Sequence, residues 1–221
     1  MTSPRTHDPV EEQLADRLSA RRQRVQSSPV VRLLRQLGRM DRAAYRTVAA
    51  MHTQPLDRPL RRISDFANFS KPWLLTAGFL ALFGGARGRR AAVTGVAALG
   101  LNSLFVNRSI KLIRKRRRPD RTEHSVPESR WVRMPESNSF PSGHSASAAA
   151  FAVSVGDLLP AFRVPLRAAA AVVAFSRVYT GVHYPTDIVA GAALGALVGK
   201  VTSTVALRRW APSEHLSLIH I

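Results

Sequence analysis

Three short stretches of this chain bring together residue types that handle phosphate and protons. The longest runs Ser176-Arg177-Val178-Tyr179-Thr180-Gly181-Val182-His183-Tyr184-Pro185-Thr186-Asp187. His183 and Asp187 are four residues apart, so the carboxylate can reach back to an imidazole nitrogen. That pairing fixes the ring's tautomer and stabilises positive charge on it, as a nucleophilic or acid–base histidine requires. Arg177 adds a planar fork of donors suited to phosphate oxygens. Taken by itself, the stretch is equally a turn between two helices, with a capping aspartate and a histidine at a helix interface.

The second stretch is Lys111-Leu112-Ile113-Arg114-Lys115-Arg116-Arg117-Arg118-Pro119. Such a charge run also reads as a solvated or headgroup-binding face. The third, Phe140-Pro141-Ser142-Gly143-His144-Ser145, opens an apolar segment. Pro141 near a helix start leaves the following N–H groups directed at an anion site. Gly143 permits close backbone approach, Ser142 adds a hydroxyl donor, and His144 is placed to give a proton. The plain alternative is a helix entrance with an incidental histidine.

The elements that must position these clusters are apolar. Pro72 to Gly85, Ala91 to Val106, Phe140 to Phe162, Leu166 to Tyr179 and Ile188 to Leu207 each approach the roughly 20 residues that cross a bilayer core, although two are short. Their Ala and Gly content permits close helix packing within a membrane. Pro185 suits the first turn of the last helix, where its missing N–H is no loss, and the helix dipole there favours the Asp187 carboxylate. From Val30 to His52 apolar residues recur at helical spacing, with Arg32, Arg35, Arg39, Arg42 and Arg46 on the other face. This is a basic amphipathic helix, able to lie on an anionic membrane or pack on a partner. With no alternating strand pattern, the expected fold is all-α: a membrane-embedded bundle of about five spans with an amphipathic N-terminal helical extension. Helices buried in a soluble bundle are the competing interpretation. The expected domains are an extension over 1–55, a core over 56–209 and a tail over 210–221.

Composition narrows the function classes. Lysine and arginine total 33 against 14 acids, a formal charge of +19, which suits nucleic acid, an anionic membrane or a phosphorylated substrate. The absence of cysteine excludes a disulfide framework, a cysteine-based zinc site and a thiol nucleophile. Met1 to Gln26 has no apolar core, so no secretory signal is expected there. The last six residues, Leu216 to Ile221, match the translation of a sequencing-adapter end and are set aside as a scar, with the natural chain expected to continue past Glu214.

Alternating passage through the bilayer brings the end of the second span, the start of the third and the turn after the fourth to one face. So arranged, the clusters resemble the type 2 phosphatidic acid phosphatase superfamily, which shares its phosphate site with vanadium-dependent haloperoxidases. Its signature is Lys, six residues, Arg-Pro; Pro-Ser-Gly-His; and Ser-Arg, five residues, His, three residues, Asp. Lys111 to Arg118-Pro119, Pro141 to His144, and Ser176-Arg177 to His183 to Asp187 match it without a departure in spacing. The resemblance extends over about 56–207 and leaves 1–55 uncovered.

The resemblance implies that His183 attacks phosphorus to form a phosphohistidine, with Asp187 orienting and charging it. His144 then protonates the leaving oxygen and later activates water. Lys111, Arg118 and Arg177 neutralise the phosphate oxygens, aided by Ser142 and the Gly143 N–H, so neither metal nor other cofactor is expected. The expected partners are the bilayer and a lipid phosphate or diphosphate: phosphatidate, phosphatidylglycerophosphate or a polyprenyl diphosphate. A diacylglycerol-kinase-like domain follows such a phosphatase domain in some bacterial proteins and is a candidate for the sequence beyond Glu214. A vanadium-dependent haloperoxidase is the alternative enzyme, although those relatives are larger and soluble. A basic membrane-surface or nucleic-acid-binding protein is the non-enzymatic alternative, and nucleic acid is disfavoured by 7% aromatics and the lack of a recognised motif. The expected location is an integral, multi-pass membrane protein. Its facing stays open, because an outward site would put the Arg-rich 1–71 segment outside, against the positive-inside rule.

Overall fold

A computed structural model of the chain describes residues 17–18, 28–110 and 116–210. Among these residues all regular structure is helical. The helices are α1 (Pro29–Ala49), α2 (Gln54–Phe66), α3 (Lys71–Phe83), α4 (Gly85–Asn102), α5 (Gly143–Leu158), α6 (Arg163–Tyr179) and α7 (Pro185–Trp210). A π-helical stretch, Ser103–Ile110, extends α4. The chain divides into two compact units, Met1–Ala43 and Ala44–Ile221, so the boundary falls inside α1. Lys111 and the tail from 211 onward, including the adapter-like end, lie outside the described residues.

Each of the five apolar segments forms a helix, α3 to α7, but the boundaries differ from expectation. The basic stretch Arg87 to Arg90, expected to separate two spans, lies within the first turns of α4. The break comes earlier, at Gly84 and Gly85, where Gly85 takes a φ of 60°. Gly88 closes that hairpin, since a Cβ there would overlap the Leu80 carbonyl oxygen. The third segment stops being α-helical at Leu158, and Pro160–Phe162 forms a 3-10 turn. At 13 residues α3 is about 20 Å long, less than the roughly 30 Å hydrocarbon thickness. By length and composition, α7 alone among the described helices is long and apolar enough to cross a membrane by itself.

The centre of the bundle is α5, which packs against α4, α6 and α7. Gly95 on α4 admits the Phe151 ring, which would lie 2.6 Å from a Cβ at that position, and Phe151 in turn contacts Trp73 of α3 at 5.7 Å between centroids. The tightest seam joins α5 to α7. Gly191, Gly195 and Gly199 recur every fourth residue and face Ser142, Ala146 and Ala150, which have the same spacing. A Cβ at Gly195 would overlap the Ala146 carbonyl oxygen, so the backbones meet with no side chain between them.

A buried ion pair fastens the long α4–α5 connection to the bundle. Arg130 Nε donates to Asp57 Oδ1 at 2.8 Å, and the guanidinium also donates to the Val48, Ala49 and Met51 carbonyls and lies 4.2 Å from the Tyr179 ring centre. Tyr179 and Ser129 hydroxyls complete the carboxylate's partners. Burial raises the Asp57 pKa, but hydrogen bonds from Ser129, Tyr179 and Arg130 outweigh it, and the group stays below the ordinary carboxylate value.

The α5–α7 seam generates a direct test. Gly195→Ala is expected to destabilise the protein by about 1–3 kcal/mol through overpacking. Gly100→Ala, with open space around its Cβ, should be neutral or gain up to about 1 kcal/mol. Thermal midpoints of the two detergent-solubilised variants measure the difference, and equal midpoints would remove the seam from the account.

Candidate active site

The α6–α7 turn is built to present a histidine. Gly181 ends α6 with a φ of 70°, and a side chain there would meet Arg121 and the Tyr45 hydroxyl within 3.0 Å. The Val182 and His183 N–H groups both return to the Arg177 carbonyl, at 3.0 and 3.2 Å, folding the turn back over the helix end. Pro185 then opens α7, and the Asp187 side chain caps it by accepting from the Tyr184 N–H at 2.9 Å.

His183 is 2% exposed and its two ring nitrogens face different chemistry. Nε2 lies 3.2 Å from Arg118 NH1. A guanidinium only donates, so Nε2 is the acceptor and the proton resides on Nδ1. On that side Asp187 Oδ2 is 3.6 Å away, at the edge of hydrogen-bonding distance, and the Ser139 hydroxyl lies beside the pair. It is 3.4 Å from Nδ1 and 2.5 Å from Asp187 Oδ2, which accepts its proton. The Asp187 carboxylate is fully buried and also receives Arg116 NH1 at 2.7 Å on Oδ1. Burial pushes the His183 pKa down to about 4; Asp187 opposes this, and the Arg118 and Arg177 charges reinforce it. The ring is therefore neutral near pH 7, with the Nε2 lone pair available to a ligand that displaces Arg118. Burial also lowers Arg118 to about 10, leaving it protonated at neutral pH.

A cavity of about 480 Å³ joins this ring to the start of α5. Arg118, Gly143, His144 and His183 line it, together with the α2–α3 corner, Ala67 to Ser70, and Leu99, Ser103, Pro135, Ser137 and Ser147. His144 Nε2 is 2.9 Å from Asn68 Oδ1. Ser142, Arg177 and Asp187 are not among the lining residues. Ser142 serves as the N-cap of α5, accepting from Ser145 N, and its own N–H donates to the Asp187 carbonyl at 2.9 Å, tying the starts of α5 and α7 together. Arg177 is 1% exposed and donates through NH1 to the Ser64 carbonyl and hydroxyl, while its Nε has no hydrogen-bond partner. No group of three or more His, Asp or Glu among the described residues is placed to hold a metal ion.

Sequence reasoning did not single out Arg116, Ser139 or Asn68. Arg116 is one of several basic residues in a row, and its type says nothing of its carboxylate partner. It also donates to Thr186 and stacks 4.3 Å from the Tyr184 ring centre. Ser139 adjoins Phe140-Pro141-Ser142-Gly143-His144 in sequence, a proximity that is its one sequence signal, and its N–H donates to the Arg116 carbonyl.

Comparison with known proteins gives one answer throughout. Residues 91–211 match the PAP2 superfamily. The decaprenylphosphoryl-5-phosphoribose phosphatase of Mycobacterium tuberculosis H37Rv is 33% identical over 176 residues, covering 76% of this chain and 93% of that protein. The lipid A 1-phosphatase of Rhizobium johnstonii is 43% identical over a shorter stretch of 70 residues, 32% of this chain and 29% of its own. The fold is shared with the transmembrane PAP2-type phosphatidylglycerolphosphate phosphatase of Bacillus subtilis, at a TM-score of 0.60 and 23% identity over 83% of this chain and 90% of that one. It is shared also with Aquifex aeolicus LpxE, at 0.58 and 23% over 73% and 93%. The family match spans most of α4 and all of α5 to α7 but not the α2–α3 corner, and the chain belongs to the PAP2 superfamily.

Proposed function

We propose that this protein is a membrane phosphatase that removes a terminal phosphate from a lipid-linked phosphosugar through a phosphohistidine on His183. The observation that carries the reading is the juxtaposition of Arg118, His144 and the acceptor Nε2 of a neutral His183 around one cavity. A phosphate entering there would take over the Arg118 donors. Nε2 attacks phosphorus and the bond to the leaving oxygen breaks, while His144 gives that oxygen a proton. The positive charge left on the His183 ring is held through Nδ1 by Ser139 and Asp187. Water then attacks the phosphohistidine, returns a proton to His144 and releases inorganic phosphate. Arg177 supports the developing charge from behind the cavity wall, with Ser142 holding α5 in place. In this scheme Gly143 offers its N–H to an oxygen, and Lys111 adds the third cation.

Two features favour a phosphosugar over a lipid diphosphate. Beside Arg118 and His144 the cavity is lined by Ser70, Ser103, Ser137, Ser147 and Asn68, partners a polyol can use, among the apolar Ala67, Phe69, Leu99 and Pro135. The Mycobacterium relative, whose name gives a phosphoribose on a decaprenyl carrier, fits the same chemistry. The membrane setting rests on the surface of the bundle. Leu75, Phe79 and Leu82 on α3, Val164 on α6, and Val189 and Leu197 on α7 are all exposed, while Thr94, Asn102, Ser145, Ser154 and Ser203 are buried. An apolar exterior over a core that includes several buried polar side chains suits lipid rather than water. In this reading α3 to α7 are the membrane-embedded helices.

Purified protein assayed on a polyprenyl phosphosugar, phosphatidate, phosphatidylglycerophosphate and a polyprenyl diphosphate tests the substrate. The phosphosugar should give the highest kcat/KM, and a preference for the diphosphate would reverse the assignment. His183→Ala should lose on the order of 10⁴-fold or more while retaining the wild-type thermal midpoint. Rapid quenching of wild type should trap an acid-labile, alkali-stable phosphoryl group that the variant lacks.

The tautomer and charge of His183 are separately measurable. With its pKa depressed to about 4, the ring should stay neutral and Nδ1-protonated from pH 5 to 8. Nitrogen NMR of 15N-histidine protein, with His183→Gln for assignment, reads this directly. A resonance titrating near the ordinary pKa of about 6.5 and absent from the variant would show a charged resting nucleophile instead.

A further inference from the structure

We infer that Asn68 is the positioning residue for His144, the acid–base group of the phosphatase reading on which this inference rests. Asn68 sits in the corner between α2 and α3, remote in sequence from all three motif clusters, and its Oδ1 is 2.9 Å from His144 Nε2. A carbonyl oxygen only accepts, so the contact keeps a hydrogen on Nε2 whether the ring is neutral or charged. The proton exchanged with the leaving oxygen, and later with water, then resides on Nδ1. The same contact favours the imidazolium, because the charged ring is the stronger donor. Asn68 thus does for the acid what Ser139 and Asp187 do for the nucleophile: it settles which nitrogen reacts.

The backbone of the corner points the same way. Phe69 and Ser70 are consecutive non-glycine residues with a φ of 57°, a left-handed conformation that costs on the order of 1–2 kcal/mol per residue. Local contacts return little, since Ser70 precedes α3 in the N-cap position without making a side-chain cap and the Lys71 ammonium lies 6.0 Å from the Phe69 ring centre, at the limit of a cation–π contact. Phe69 is 87% exposed, so burial does not offset it either. What the turn achieves is placement: it directs the chain into the cavity wall, where Ala67, Asn68, Phe69 and Ser70 all line the space beside His144.

The test separates a misplaced acid from a damaged fold. General-acid catalysis matters most when the leaving oxygen is a poor leaving group. The probes are p-nitrophenyl phosphate and a short alkyl phosphate, compared by kcat/KM, which reports steps up to phosphoryl transfer. Asn68→Leu should lower alkyl phosphate turnover by about 10- to 100-fold and p-nitrophenyl phosphate turnover by no more than about 3-fold, following the selectivity of His144→Ala. Asn68→Asp should retain the alkyl activity and move the basic limb of the pH profile upward, because a carboxylate stabilises the imidazolium more than an amide does. Equal losses on both substrates, with an unmoved pH profile, would overturn the inference and make the corner merely structural. A wild-type protein inert toward every phosphomonoester would instead remove the phosphatase reading, and a His144→Ala variant without leaving-group selectivity would remove the acid assignment.

Discussion

The approach of α5 to α7 is the constraint on which the other geometry depends. Helix axes can close to backbone contact only where side chains are missing, and α7 supplies that with Gly191, Gly195 and Gly199 against the carbonyl side of Ser142, Ala146 and Ala150. The seam begins where both helices begin. His144 lies in the first turn of α5, and His183 lies just before α7, so the distance between the two histidines is set by the seam rather than by the loops. The Ser142 N–H bond to the Asp187 carbonyl adds a peg at the open end. Once these two helix starts are fixed, Gly95 and Phe151 seat α4 on the other side of α5, and the chain leaving α4 is delivered above the same opening.

Burying a carboxylate at that opening demands partners, because an isolated buried charge costs several kcal/mol. Asp187 receives Arg116, Ser139 and the Tyr184 N–H, and two of these come from the α4–α5 connection. The connection is therefore held to the site by the very group it neutralises, while the Asp57–Arg130 pair anchors its far side. Within the basic run the roles divide by geometry: Arg116 turns inward to a carboxylate, and Arg118 turns to the imidazole and to the Ser137, Asn138 and Val182 carbonyls. A high local positive charge is thus partly structural, and the arginine facing His183 is held ready by neutral acceptors that yield to an anion at little cost.

What could be read from the chain follows from how each residue acts. The helices were legible because apolar length and turn residues are local signals, and the histidines and motif arginines because their spacing is fixed by the turns that carry them. Gly181 and Pro185 bracket His183 by backbone preference, so the position of that turn follows from local sequence alone. Helix ends were less legible: Arg87 to Arg90 look like a break by charge, yet the break is made by the torsion at Gly85 and the close fit of Gly88 under Leu80. Asn68, Ser139 and Arg116 were invisible because their partners lie 76, 48 and 71 residues away, and no local pattern distinguishes a serine that donates to a buried carboxylate from one in a loop. The α7 glycines carried a signal of close packing but not the identity of the facing helix.

The position of the site at helix ends follows from the same distribution of polarity. If α3 to α7 are embedded as proposed, the apolar exterior fixes the depth of the bundle, and the cavity at the starts of α5 and α7 must then open at headgroup level. On the proposed reading, a phosphosugar on a lipid carrier would meet those conditions without leaving the bilayer, its chain among exposed residues such as Phe79 and Leu82 and its polar end toward Ser147, Ser103 and Arg118. The α2–α3 corner lies on that route, with Phe69 exposed at the mouth and Asn68 directed at His144. In the proposed reading, a wall that both receives the headgroup and holds His144 would couple substrate entry to the placement of the proton. The α5–α7 seam places both histidines, and the strained corner at the entrance adds a second hold on His144 alone, which is the asymmetry between the two.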